Sequence, residues 1–179
     1  MNPIMETREF EVRVFTEKEG GEVAAWMSLS PDALFMVSSR FEYPLAPEIF
    51  IEYMKRANPE DHKFYSVFEK KNNQHIGHFE IKNISKKHGV GTGAHIILSQ
   101  KSRGKGLGQE LVKLLTMVGF SVLDLNRISL SVHTINYKAI STYIKSGYII
   151  EGLIRDVLKF EEKPYSLYQM SILRHEWKG

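Results

Sequence analysis

Ser102-Arg103-Gly104-Lys105-Gly106-Leu107-Gly108 runs without a break into the amphipathic segment Gln109 to Val118. Gly104, Gly106 and Gly108 allow a tight turn and a close backbone approach to a ligand, because no Cβ stands in the way. A helix that begins at such a turn points unpaired N–H groups and the positive end of its dipole outward. Arg103 and Lys105 add two cations to the same turn. The combination reads as a receptor for a phosphate-bearing ligand, although a glycine-rich turn before a helix can also be only a turn. Two better-known phosphate loops do not fit. The P-loop requires a Gly-Lys-Ser/Thr, and here Lys105 is followed by Gly106; the dinucleotide fingerprint requires Gly-x-Gly-x-x-Gly, and here the spacing is Gly-x-Gly-x-Gly.

Working outward, Leu107, Leu111, Leu114, Leu115 and Val118 form the apolar stripe of a helix. Upstream, Gly89 to Ser99 predicts a strand with Ala94, Ile96 and Leu98 on one face. Phe64 to Glu69 and His75 to Ile84 form a hairpin around the polar turn Lys70-Lys71-Asn72-Asn73-Gln74. Nearer the N-terminus, Phe10-Val12-Val14 alternates as a strand. Thr16 and Glu19 make a capping box for a helix to about Met27. Further helices start at Ser30-Pro31-Asp32, carrying Ala33, Leu34, Val37 and Phe41, and at Pro47, running to about Arg56. Downstream, Arg127 to Thr134 is a strand, Asn136 to Ser146 a helix closed by Gly147, and Tyr148 to Lys159 and Tyr165 to Leu173 two final strands. This order predicts one mixed α/β domain over residues 1–179, built on a mostly antiparallel sheet with helices on both faces. The glycine turn then lies at a strand's carboxyl end, where ligands sit in open α/β sheets.

The composition excludes several classes. A chain of 179 residues supports one full-sized core, and 42% hydrophobic with 25% charged residues is ordinary for a globular protein. There are no cysteines, so disulfides, thiolate zinc sites and a cysteine nucleophile are ruled out. The net charge of +3 comes without long runs of like charge, which argues against a nucleic-acid partner. The N-terminal residues lack an apolar signal core, and no stretch is apolar for long enough to span a bilayer. A cytoplasmic protein with no membrane partner is the expectation. The seven histidines read as unclustered: His75 and His78, three apart on one strand, should face opposite ways. No metal-ligand spacing occurs, so no metal is expected. His95, on the strand that leads into the glycine turn, could touch a substrate or be a packed strand residue, His133 carries no assigned role, and no Gly-x-Ser-x-Gly elbow exists.

Arg103-Gly104-Lys105-Gly106-Leu107-Gly108 matches the Gln/Arg-x-x-Gly-x-Gly/Ala signature of the Gcn5-related N-acetyltransferases (GNAT superfamily). Asn136, Ala139, Tyr143, Lys145 and Gly147-Tyr148 resemble that family's Asn-x-x-Ala-x-x-x-Tyr-x-Lys-x-Gly-Phe pattern, with Tyr for the last Phe. Glu151-Gly152, Arg155, the Tyr165 to Met170 strand and Trp177 resemble the branch of ribosomal-protein N-terminal acetyltransferases (RimJ/RimL type). The resemblance implies acetyl-CoA as cosubstrate, with a cofactor-binding core at about residues 90–147. The amides from Arg103 to Gly108 (Arg103, Gly104, Lys105, Gly106, Leu107, Gly108) would hold the pyrophosphate. The pantetheine arm would fill a gap between His95-Ile96-Ile97-Leu98 and Ser129-Leu130-Ser131-Val132, touching Ile96, Ile97 and Leu98. Asn136 would anchor it, with Ala139, Tyr143 and Lys145 nearby, although Lys145 could equally cover the solvent face of its helix.

Acetyl transfer to an amine requires deprotonation of a group with a pKa near 10, a donor for the tetrahedral oxyanion, and a proton for the leaving thiolate. The resemblance implies Tyr143 as that acid: a phenol of pKa about 10 can donate to a thiolate of pKa roughly 8.5. It also implies an oxyanion donor from a backbone N–H near Ile97. Glu80 is the candidate general base, because alternation with Phe79 and Ile81 can turn it to the acceptor side of the sheet; a solvent-facing strand residue is the alternative. Acceptor-side elements would be about 16–57 and 155–168, with walls from Phe35, Tyr43, Phe160 and Tyr165 and acids Glu42, Asp156, Glu161 and Glu162. The acceptor is an amine, with a protein N-terminus first and a polyamine or aminoglycoside close behind. A silent CoA-binding module and a nucleotide-binding protein are the alternatives of other classes. A homodimer paired through the last strands is compatible with the sequence.

Overall fold

The computed structural model describes residues 2–28, 41, 45–160 and 162–179. Eight strands form one sheet in the order β1-β2-β3-β4-β5-β6-β8-β7. They are β1 Met5–Glu6, β2 Phe10–Val14, β3 Lys63–Glu69, β4 Gln74–Ser85, β5 Val90–Leu98, β6 Arg127–His133, β7 Ile149–Phe160 and β8 Lys163–Leu173. All neighbours are antiparallel except β5 and β6. Four α-helices stand among the described residues: α1 Glu17–Ser28, α2 Pro47–Arg56, α3 Leu107–Met117 and α4 Tyr137–Lys145. The expected helix from Ser30 to Phe41 lies outside the described residues except at Phe41, which is buried. The expected seven strands become eight because of β1, two residues too short to show a period.

Local chemistry sets the helix ends. At α1 the Thr16 N–H and hydroxyl both donate to the Glu19 carboxylate, each at 2.7 Å, so the predicted capping box is present. α4 ends in a Schellman motif: Gly147 N–H donates to the Ile144 carbonyl and Tyr148 N–H to that of Tyr143, both at 3.0 Å. Gly147 has φ +91°, which L-residues adopt at a cost of roughly 1–2 kcal/mol. A Gly147→Ala variant is therefore expected to lose about that much stability in urea denaturation; an unchanged midpoint contradicts the capping assignment.

The sheet separates two cores. On one face α3 buries Leu111, Leu114 and Leu115 against Phe79, Ile81, Ile128 and Leu130. On the other, α1 and α2 bury Val23, Met27 and Phe50 against Phe15, Phe64 and Ile97. Gly20 allows α1 and α2 to approach, since a Cβ there would lie 2.7 Å from Ile51 Cγ1. Beyond β8, β7 forms the outer edge and exposes Ile149, Leu153 and Val157.

Bulges correct two expectations drawn from strict alternation. Between β3 and β4 the register slips, so that Phe68 opposes His75 while Val67 opposes Gly77. The extra residue rotates His75 onto the face of His78: His75 stacks on Phe68 and reaches Glu22 and Trp26 of α1, while His78 meets Phe15 and Phe50. Between β4 and β5, Glu80 opposes Ala94 and His78 opposes Ile97. One extra residue therefore lies in β5, with His95 at φ +42°. Ala94 consequently shares a face with Ile97, not with Ile96 and Leu98, which pack toward α3.

Candidate active site

β5 and β6 pair only at Val90–Thr92 with Arg127–Ser129. Beyond that point β5 stays on β4 and β6 stays on β8, so the two parallel strands part. The opening starts one residue later than expected, because Ser129 still opposes Thr92 and their hydroxyls lie 3.1 Å apart. A cleft of about 190 Å³ fills the fork, and its walls include Ile96, Ile97, Leu98, Asn136, Ala139 and Tyr143. It is mostly apolar with unpaired strand backbone on both sides, which suits an extended chain of amides and methylenes.

The glycine turn stands at the outer end of this cleft. Gly104 and Gly106 have φ +74° and +80°, and nothing lies within 4 Å of a Cβ built on either. Conformation, not crowding, requires glycine there. Gly108 has no such φ; its added Cβ would make only ordinary contact with Thr142 at 3.7 Å. Gly106 is the N-cap of α3 and offers no side-chain cap to the first-turn amides, so those N–H groups face outward for an anion. The two cations of the turn separate. Lys105 is exposed, whereas Arg103 folds back, its Nε donating to the Leu98 carbonyl at 3.1 Å and its terminal nitrogen to the Trp26 carbonyl at 3.4 Å. Leu107 packs beneath the turn against the apolar core.

Asn136 caps α4: its Oδ1 accepts from Ala139 N–H at 3.1 Å. The same residue lines the cleft. Tyr143 lies one turn beyond Ala139 on the same wall. Burial pushes its phenol up to about 12, and its hydroxyl makes no hydrogen bond among the described residues. Lys145 does not line the cleft. It sits with Gly106, Lys113, Trp177 and Lys178 around a separate cavity of about 560 Å³ on the other side of the turn.

Glu80 is fully buried, on the face covered by α1 and α2. Its Oε1 accepts from His95 Nδ1 at 2.7 Å; its Oε2 accepts from the Tyr53 hydroxyl at 2.9 Å and from His62 Nε2 at 2.8 Å. His78 Nε2 lies 3.6 Å from Oε1, beyond hydrogen-bond reach. Burial by itself would raise the carboxyl's pKa. The His95 charge and the imidazole hydrogen bonds outweigh it and hold the group well below the ordinary glutamate value. Burial lowers the pKa of His78. The histidines that read as unclustered thus converge on one carboxylate. Only long-range pairing brings them together, since His62, His78 and His95 come from three separate segments. No arrangement of His, Asp or Glu fit to hold a metal occurs among the described residues.

Of the expected acceptor walls, Phe35, Tyr43, Glu42 and Glu161 lie outside the described residues, as does the side chain of Phe160. Tyr165 packs edge-on to His133, centroids 5.9 Å apart. Glu162 pairs with Lys159 at 2.5 Å, and exposed Asp156 accepts from Ser166 at 3.3 Å. Glu151 forms a two-pronged pair with Arg127 that Ser171 joins at 2.8 Å; the hydrogen bonds from Arg127 and Ser171 hold the carboxyl at about 2. Sequence reasoning did not identify Tyr53 or His62 as neighbours of Glu80.

A sheet forked between two parallel strands, with a glycine turn and helix N-terminus at the fork, defines an acetyltransferase-type fold. The profile of the acetyltransferase (GNAT) family matches residues 32–148, and the chain belongs to that family. An uncharacterised N-acetyltransferase p20 of Bacillus licheniformis is 30% identical over 115 residues, 64% of each chain. The spermidine N(1)-acetyltransferase of Escherichia coli K12 is 34% identical over 82 residues, 46% of this chain and 44% of that protein. The chain therefore spans less than two thirds of the length of these relatives. Among solved structures, the spermidine N-acetyltransferase of Vibrio cholerae in complex with CoA and spermine superposes with a TM-score of 0.84 at 19% identity, covering 97% of this chain and 100% of that one. The ribosomal-protein-S5-alanine acetyltransferase of Vibrio fischeri gives 0.76 at 18% identity, covering 98% of both. At these identities the two structures speak to the fold alone.

Proposed function

We propose that this protein transfers the acetyl group of acetyl-CoA to a primary amine. The observation that carries the reading is the fork of β5 and β6 ending at the uncapped start of α3. Backbone and apolar side chains of Ile96, Ile97 and Leu98 would hold the pantetheine arm, opposite Asn136 and Ala139. The amides from Arg103 to Gly108 would take the pyrophosphate. The nucleotide end would then pass Gly106 toward the cavity that Lys113, Lys145 and Lys178 surround, where cations suit a further phosphate. The N–H near Ile97, beside the bulge, would donate to the oxyanion, and Tyr143 would protonate the departing thiolate. Burial disfavours the thiolate as it disfavours the phenolate, so the cleft raises the proton affinity of the leaving group along with that of Tyr143.

A protein N-terminal amine and a polyamine are both supported as acceptors by the named relatives, the polyamine by sequence as well as fold. A panel of amines with thiol release as readout separates them. Turnover with spermidine or spermine, and none with an N-terminal peptide, selects the small amine; the reverse selects the protein. Melting with acetyl-CoA tests the cosubstrate. At a hundredfold excess over Kd the expected stabilisation is about 2.7 kcal/mol, with ATP and NAD giving none. No stabilisation by acetyl-CoA would remove the proposal.

A further inference from the structure

We propose that His95, oriented by Glu80, is the base that takes the proton from the acceptor amine. This rests on the acetyl-transfer reading and adds to it the group that performs the deprotonation. Glu80 itself is enclosed: its side chain has no open surface, and His95, Tyr53 and His62 occupy both oxygens. A carboxylate so placed cannot meet an amine, but it can fix an imidazole. An ionised carboxylate only accepts, so His95 Nδ1 is the donor in the 2.7 Å contact, and the neutral form of the ring would carry its lone pair on Nε2.

Position then selects His95 among the three histidines. It is the residue at φ +42° in the β5 bulge, at the point where β5 has left β6. Its side chain keeps 8% of its surface open against 9% for His62, so exposure does not separate these two; what does is that the three residues after His95 line the cleft. A left-handed backbone at a non-glycine residue costs energy, and such strain collects at functional sites, where bulges re-aim side chains. His62 is differently placed: it spends Nε2 on Glu80, stacks on Phe64 at 4.2 Å, and borders a cavity beside α2. His78 has no open surface. The groups that face the His95 ring are Glu80 and, more distantly, His78 from β4, Tyr53 from α2 and Phe41.

The step balances within the site. An N–H bond of the ammonium breaks and an H–Nε2 bond forms. The freed lone pair forms the N–C bond as the carbonyl π pair moves onto oxygen. Collapse of the tetrahedral adduct breaks the C–S bond, Tyr143 protonates the departing thiolate, and the second proton of the attacking nitrogen passes through water to the Tyr143 phenolate. The imidazolium is held by Glu80, which stays ionised, and returns its proton to solvent after product leaves. Glu80 is therefore a positioning residue and His95 the catalytic one.

The test uses His95→Gly, because glycine suits the positive φ and leaves the bulge unstrained, with His95→Gln as a second variant. For both, kcat with a productive amine is expected to fall about 100-fold or more, with the KM for acetyl-CoA unchanged and the acidic limb of the rate profile lost. Added imidazole should restore at least tenfold in His95→Gly. Glu80→Gln should lower kcat less and move the acidic limb to lower pH, because the imidazolium loses its anionic neighbour. If the wild-type protein releases no thiol with any amine, the acetyl-transfer reading fails. If wild type turns over and the two His95 variants keep its rate and acidic limb, the base assignment alone is overturned. A loss of rate accompanied by lost acetyl-CoA binding, with no rescue by imidazole, overturns it equally.

Discussion

Tyr143→Phe is expected to lower kcat by about 100-fold or more, within the usual span of general acid catalysis, while leaving acetyl-CoA affinity and folding stability unchanged. The stability half follows from geometry. The Tyr143 hydroxyl has no hydrogen-bond partner among the described residues, so its removal leaves no buried donor or acceptor unpaired. The ring, which packs 5.9 Å from that of Tyr148 and against the α3 core, is kept. The activity half follows from chemistry. With its pKa pushed up to about 12 by burial, the phenol is protonated at every working pH and always available as a donor. Single-turnover and steady-state kinetics with a productive amine, beside a melting curve, measure both halves. Full turnover in the variant removes Tyr143 from the mechanism; a parallel loss of stability assigns it to packing.

Glu80→Ala is expected to cost about 3–5 kcal/mol, the range for breaking a buried ion pair from one side. The loss removes the carboxylate that Tyr53, His62 and His95 all donate to and leaves a void in its place. Glu80→Gln keeps the shape and an acceptor, and should cost less. The same cluster sets the response to pH. Glu80 is held below its ordinary value by His95 and its imidazole partners, against burial. A depressed carboxyl contributes stability above its unfolded pKa of about 4.3 and loses it as pH falls below. His78 and His133 are lowered by burial, so the unfolded chain takes up their protons first, below about 6.5. Stability in urea should therefore decline from about pH 6.5 downward and steepen below about 4.3. A protein that grows more stable between pH 7 and pH 5 contradicts this assignment. Glu151 adds little to the trend despite its low pKa, because its pair with Arg127 is exposed.

What could be read from the sequence was what neighbours in the chain decide. The capping box of Thr16 and Glu19, the Gly147 cap, the α3 stripe and the glycine turn each depend on residues within a few positions of one another. The bulges depend on two strands at once, and no alternation within one strand announces them. That is why His75 and His78 read as opposite-facing, and why Ala94 was grouped with Ile96 and Leu98. The carboxylate-centred histidine cluster was hidden for the same reason. For Glu80 the sequence left two readings, turned to the acceptor side or to solvent; its burial under α1 and α2 and its partners Tyr53, His62 and His95 come from α2, the approach to β3, and the β5 bulge. Arg103 shows a subtler gap: the sequence places a cation in the turn, and only the fold shows it tied to Leu98 and Trp26.

The central claim is that the main chain from Arg103 to Gly108 and the open edge of β5 grip coenzyme A. Titrating acetyl-CoA into uniformly 15N-labelled protein and following the amide resonances tests it most directly. The largest shifts should fall on Gly104, Gly106, Leu107 and Gly108 and on Ile96 to Leu98, saturating together with one Kd. Saturating acetyl-CoA that leaves those amides where they were, whatever it does elsewhere, would contradict the claim.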